Sequence, residues 1–517
     1  MVDTNEPVLD VRDIQGNILA GFNKDFQNLL FVEIIQPEAA KIWLKSLVPQ
    51  ISSLDEVLRF NNLFKSIRSR QAGEDPHGLA ATWINIAFTF EGLRKLVPEE
   101  IKHFTHEAFQ SGMASRDLGD KLEPEQWVIG GPGKYPDLLL IVASDSESYL
   151  NERLTSLKKS ITDNVGLGLI HEEEGRARHD KPGHEHFGFK DGISQPGIRG
   201  RISDSCNEFL TPRLIDPADK RAQLFSRPGE PLIWPGEFVF GYPKQGAMRS
   251  GDDIHPLLKG PDMFDNVPEW ARNGSYLVFR RLSQDVEKFL NTLKEMKDKT
   301  GLPCSLIGAK FVGRWPSGAP LMRSPDNENE ELGKDEFASN HFSYNELEPP
   351  INLTNDAGAQ EISESTNDRF GDICPFSAHI RKVNPRDMGT ELGSAEETLR
   401  KRILRRGIPY GKTYEEAPEQ ERGLLFVSYQ TSIEDQFEFL QKSWANSKKN
   451  PPGSENLIEG SGEDPIIGQN SSKDRNRTFE LDKKTLTLTQ EFVTLTGGGY
   501  FFQPSISAIN HILTKEN

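Results

Sequence analysis

The chain is predicted to be an α+β protein of two ferredoxin-like domains, an antiparallel sheet with helices on one face that occurs twice. Two observations predict this. Short apolar runs lead repeatedly into apolar residues at helical spacing, and two of these strand-to-helix units recur in order in the second half. A third observation supports it: charges of both signs are mixed with 35% hydrophobic residues over 517 positions, enough apolar material for a substantial core.

The first unit is Asn28–Leu47 (NLLFVEIIQPEAAKIWLKSL), a short apolar run, a turn and then a helical pattern. Thr82–Val97 and Asp137–Leu157 repeat the pattern. Gly274–Leu293 matches the first unit in order and length, and Gly423–Trp444 matches the third, in pattern and not in identity. Two copies are expected to pack sheet to sheet and to leave a cofactor-sized cleft between sheet and helices. The expected organisation is an N-terminal domain at 1–200, a Pro/Gly-rich connection at 201–273 and a C-terminal domain at 274–517 with long insertions. Arg323–Asp372 and Trp444–Arg477 are polar and read as long loops, which carry function or disorder.

The formal net charge of −17 argues against nucleic acid and anionic membrane surfaces as partners. The basic run Lys401–Arg406 (KRILRR) is local, and such a run is usually a solvated helix face. Cys206, Cys304 and Cys374 are far apart and odd in number, which speaks against structural zinc, a disulfide scaffold or covalent haem attachment. No secretion signal pattern and no membrane-spanning apolar run is visible, so a cytoplasmic location is expected.

Two segments carry chemistry. In Gly183–Gly197 (GHEHFGFKDGISQPG) the glycines permit tight turns and close backbone approach to a ligand. Asp191 precedes Gly192, and taken locally it reads as a turn former. In Ile373–Arg386 (ICPFSAHIRKVNPR), His379 stands among small and apolar residues, close to Arg381 and Arg386. A lone histidine in such a setting is more often a core residue. A neutral imidazole beside guanidinium groups is also what would hold the iron and the propionates of haem.

These segments resemble the dye-decolourising (DyP-type) haem peroxidases, in their larger branches. GFKDGISQP resembles the family's GxxDG motif, AHIRKVNPR its proximal-histidine motif and ILRRGIPYG (Ile403–Gly411) its distal-arginine motif. GLLFVSYQ and DPIIGQ (Asp464–Gln469) are similar to later motifs, and the resemblance runs from DIQGNILAGF to GGGYFFQPS. It implies a pair of ferredoxin-like domains of the dimeric α+β barrel type, one haem b per chain, hydrogen peroxide and an organic electron donor as substrates, and a possible homodimer.

The resemblance implies roles residue by residue. His379 is the proximal iron ligand, with Asp464 accepting its other ring N–H and making the imidazole more basic. Asp191 is the distal acid–base residue and Arg405 the distal cation, preferred over its neighbour Arg406. Arg386 pairs with a propionate, and the backbone of Gly192, Ile193 and Ser194 lies against the haem edge. Leu424 and Phe426 line the distal pocket or, equally, belong to plain strand core. A carboxylate base of low pKa implies an acidic activity optimum. His184 and His186 read as loop residues, and Tyr410 is a weak candidate for surface oxidation of bulky donors. Two other readings compete: haem handling without peroxidase turnover, and a non-haem metal site built from His171, His179, His184 and His186.

Overall fold

Side-chain alternation along the strands sets the architecture. The computed structural model describes residues 6–70, 76, 78–246, 267–452, 461–472, 474–481 and 484–515. Residues 247–266 of the expected connection and 453–460 of the expected loop lie outside them. Nine strands share one sheet: β1 Phe26–Ile34, β2 Thr82–Phe88, β3 Leu138–Ser144, β4 Leu167–Arg176, β5 Ser275–Gln284, β6 Leu404–Arg405, β7 Ile408–Tyr410, β8 Gly423–Gln430 and β9 Val493–Gln503.

The first half orders its strands β4–β1–β3–β2, all antiparallel. The second half orders them β7–β8–β5–β9, with β6 on the same edge of β8 as β7. Each half therefore has one ferredoxin-like strand order, as the recurring units suggested. The recurrence extends to the helices. Pro37–Leu47 follows β1 and Val286–Thr300 follows β5. Glu147–Thr162 follows β3, and the wide helical turns Ile433–Glu438 and Leu440–Ala445 follow β8. Three of these starts are capped alike: Ser146, Asp285 and Ser432 accept the N–H of Tyr149, Lys288 and Asp435.

The halves do not pack face to face, as the sequence suggested. They meet edge to edge, at Tyr410↔Gly175 and Phe502↔Phe88, and close a barrel. Closure removes the free edges that two open four-stranded sheets would expose. It also accounts for strands that are apolar on both faces. Leu29, Phe31, Ile141, Phe279, Leu425 and Phe501 form one core inside the barrel. Their neighbours Leu30, Val32, Leu140, Val142, Val278 and Phe502 form a second, beneath the helices.

The polar stretch Arg323–Asp372 is more ordered than its composition suggested. Phe337, Ile351, Leu353 and Ile362 pack a small core with Ile215 of the connection. No helix among the described residues is long and apolar enough to cross a membrane.

Candidate active site

A largely apolar cavity lies on the outer face of the second half's sheet. Arg280 and Leu282 of β5, Leu424 and Phe426 of β8 and Leu495 of β9 form its floor, and His379, Ile380, Phe437 and Leu440 border it from the helical layer. Alternation decides the β8 contribution. Leu424 and Phe426 face the cavity, whereas Leu425 and Val427 point into the barrel core.

His379 opens the short helix His379–Val383. Its Nδ1 lies 2.7 Å from Oδ2 of Asp464, whose side chain is wholly buried. The other carboxylate oxygen, Oδ1, accepts the backbone N–H groups of Ile466 and Ile467 at 2.7 and 3.0 Å. One oxygen of Asp464 thus shapes its own turn while the other orients the imidazole, and Nε2 is left as the nitrogen able to take a ligand. Burial works against a charged His379, but the charge and hydrogen bond of Asp464 outweigh it and raise the imidazole above its ordinary pKa.

Asp191 and Arg405 border the same cavity. Arg405 Nη1 donates to Asp191 Oδ1 at 2.9 Å, and its Nη2 donates to the carbonyl of Ser194 at 3.1 Å. The side chain of Gln195 pairs with both backbone groups of Arg405. The Gly192 N–H donates to Asp191 Oδ1 at 2.6 Å, with Gly192 at φ +75°, a conformation that favours glycine. Desolvation at the cavity wall, where its side chain is still 40% exposed, pushes the Asp191 carboxyl up most strongly. Arg405, the Gly192 N–H and the nearby His379 together overcome this and hold it below the usual aspartate value.

A third group is a cluster of buried and half-buried cations. Arg314, Arg386 and Arg402 line the cavity with Arg405. Arg386 donates to the carbonyls of Asn340 and Phe342 and stacks over the Phe342 ring at 3.6 Å. Arg314 donates to the carbonyls of Gly318 and Ser339 and to the Asn340 side chain. The Arg402 guanidinium has no hydrogen-bond or ion-pair partner among the described residues. Burial, reinforced by repulsion from Arg386 and Arg405, pushes both Arg314 and Arg402 down to about 9. Buried guanidinium groups without carboxylates call for an anionic ligand. The donor set fits haem: an oriented imidazole, an apolar floor and cations suited to propionates.

All the cavity residues proposed from sequence come together here. Asp191, Gly192, Ile193, Ser194, His379, Arg386, Arg405, Leu424 and Phe426 line it, and Asp464 stands behind His379. Arg314 and Arg402 were missed. Arg402 lies within the KRILRR run, which composition alone assigns to solvent. Glu185 was also missed, because a carboxylate between two histidines in a polar loop carries no local sign of a pocket position. It borders the cavity, accepts the N–H groups of Phe187 and Phe189 at 2.8 Å each, and is pushed up to about 7, chiefly by burial.

Other candidates are placed elsewhere. Arg406 donates to the carbonyls of Asn17 and Leu19 and does not border this cavity. His184 turns to the carbonyl of Pro182, and buried His186 to that of Tyr410. His171 pairs with Glu173, and the His179 ring lies tilted against Phe26. Among the described residues, no three His, Cys, Asp or Glu side chains gather as a metal site, so the non-haem reading finds no centre. Tyr410 is 5% exposed, under Arg281 and bonded to Glu421, so it is not a surface residue. The β7 edge on which it sits is consumed in closing the barrel.

Comparison with known proteins agrees with this geometry. A family model described as "DyP dimeric alpha+beta barrel domain" matches residues 13–179, and one described as "Dyp-type peroxidase, C-terminal" matches residues 326–457. A dye-decolorizing peroxidase of Mycetinis scorodonius is 32% identical, over 98% of this chain and 88% of that protein. One from Auricularia auricula-judae is 31% identical, over 97% of this chain and 86% of its own length. The solved structure of an ancestral D-type dye-decolorizing peroxidase superimposes with a TM-score of 0.74 at 32% identity, covering 98% of this chain and 99% of that one. The chain belongs to the dye-decolourising (DyP-type) family of haem peroxidases.

Proposed function

We propose that this peroxidase carries one haem b per chain and uses hydrogen peroxide to oxidise organic donors such as dyes and phenolics. One observation carries the reading: an Asp191–Arg405 pair and an imidazole, His379, oriented by Asp464 behind it, border a single cavity. Haem storage alone would require only the second. Bound haem would supply the redox centre that peroxide oxidises and donors reduce.

The chain's residues divide the remaining work. His379 Nε2 would hold the iron, and Asp464 keeps the ring oriented and electron-rich. Arg386, Arg402 and Arg314 would bind the propionates, relieving the cost of their own burial. Asp191, ionised at working pH, takes a proton at a carboxylate oxygen from the peroxide and returns it to the departing oxygen. Arg405 stabilises the negative charge that develops there, and its bond to the Ser194 carbonyl keeps it in place. The apolar floor of Leu424 and Phe426 limits water around the exchange. Three unpaired cysteines support a cytoplasmic location.

The test is an absorption spectrum of haem-supplied protein before and after one equivalent of hydrogen peroxide. A Soret band that shifts within seconds is expected. A Soret band indifferent to peroxide would refute turnover, and its absence would refute the role of His379.

A further inference from the structure

Lys382 lies three residues beyond His379 in the helix His379–Val383, so both side chains leave the same face. It is 0% exposed. Its Nζ donates to the carbonyls of Ser447 and Gly462 at 2.7 Å each and to Ser461 Oγ at 3.1 Å. All three acceptors are neutral. Burying an ammonium among neutral oxygens is costly unless a negative charge lies nearby.

The neighbouring acids are Asp464, Glu463 and Glu391. Glu391 accepts from the Trp444 indole, and Glu463 from the backbone and hydroxyl of Thr478. Asp464 is the one of the three that touches the imidazole. The loop bearing it is held from its other side by a second buried cation. Arg477 donates to the carbonyls of Asp464, Pro465 and Gly468.

We propose that Lys382 is a positioning residue that clamps the Asp464 loop to the helix of His379 and, by its charge, limits how strongly Asp464 draws on the imidazole N–H. A carboxylate beside a fixed cation is a weaker base and polarises Nδ1–H less. Without the cation the imidazole gains electron density, which favours the ferric over the ferrous state of a bound iron. This inference rests on the haem reading above.

The experiment is a redox titration of the full-length, haem-loaded protein at pH 5. Burial brings Lys382 down to about 7, so it is protonated there. Lys382→Gln removes the charge and keeps a donor. The ferrous-to-ferric ratio at fixed potential is expected to fall about tenfold, which is about 59 mV for a one-electron couple. Lys382→Arg keeps the charge and is expected to stay within about threefold of the parent protein, about 28 mV on the same scale. A merely structural lysine would disturb both variants alike. A parental ratio in Lys382→Gln overturns the proposal, and so does a tenfold shift in Lys382→Arg. If the glutamine variant does not fold, Lys382→Met, which also removes the charge, takes its place: a roughly tenfold fall is expected, and a parental ratio overturns the proposal. A parent protein with no Soret band would sink the haem reading instead, so the two failures are distinguishable.

Discussion

Replacing Asp191 by Asn isolates proton transfer from geometry. The Asn amide oxygen can still accept from Arg405 and from the Gly192 N–H, the two contacts that Oδ1 makes now. Arg405 is also anchored independently, through the Ser194 carbonyl and the Gln195 side chain. The variant therefore keeps the shape and loses the base. A positioned general base contributes about 10²–10⁴-fold. Among the described residues the neighbouring candidates are engaged elsewhere. His184 and His186 do not border the cavity, and both oxygens of Glu185 are engaged by backbone N–H groups. A loss of about 10³-fold is expected, or about 4 kcal/mol at 1.36 kcal/mol per tenfold. Stopped-flow measurement of the second-order rate constant with hydrogen peroxide, on protein with an intact Soret band, reads this directly. A loss smaller than about tenfold would refute the assignment of Asp191 as the base.

Further outcomes follow from the same geometry. Arg402→Met is expected to weaken haem binding by about 10–100-fold, from the loss of a charge-assisted bond of about 1.5–3 kcal/mol. It should leave the melting temperature of the haem-free protein unchanged or higher, because a buried, repelled cation is removed; haem titration and thermal melts check both. Because the Asp191 pKa is depressed, its ionised form and the stability linked to it are fully present above the ordinary aspartate value of about 3.9 and are lost as pH falls through the lowered one. Peroxide reactivity should accordingly persist into acid and fall only below that value, which a pH series of the same rate constant tests. Leu425→Ala, in the barrel core, should cost about 2–5 kcal/mol in chemical denaturation. The adjacent Leu424→Ala, facing the cavity, should cost less and shift the spectrum of bound haem instead.

The duplicated units were legible because a strand leading into an amphipathic helix leaves a local periodicity, and β1 with Pro37–Leu47 and β5 with Val286–Thr300 show it plainly. Asp191, His379 and Arg405 were legible because each lies in a compact motif that resembles a known family. Leu424 and Phe426 stayed open between pocket and core, since period 2 names two faces without saying what covers each. The roles of Arg402 and Arg314 were not legible. A guanidinium in a basic run reads as solvated until the fold removes its water.

What the sequence determined by itself was local: strand and helix patterns, their recurrence, an acidic surface charge and the short motifs that bear the chemistry. What the tertiary structure decided was which of these meet. Edge-to-edge closure of the barrel buried Tyr410, while packing of the whole chain brought Asp191 within 2.9 Å of Arg405 across 214 residues and set Asp464 on His379 across 85. The physical reason is that pairing of distant strand edges and burial of distant charges depend on the packing of the whole chain, and no short stretch of sequence encodes its own partner.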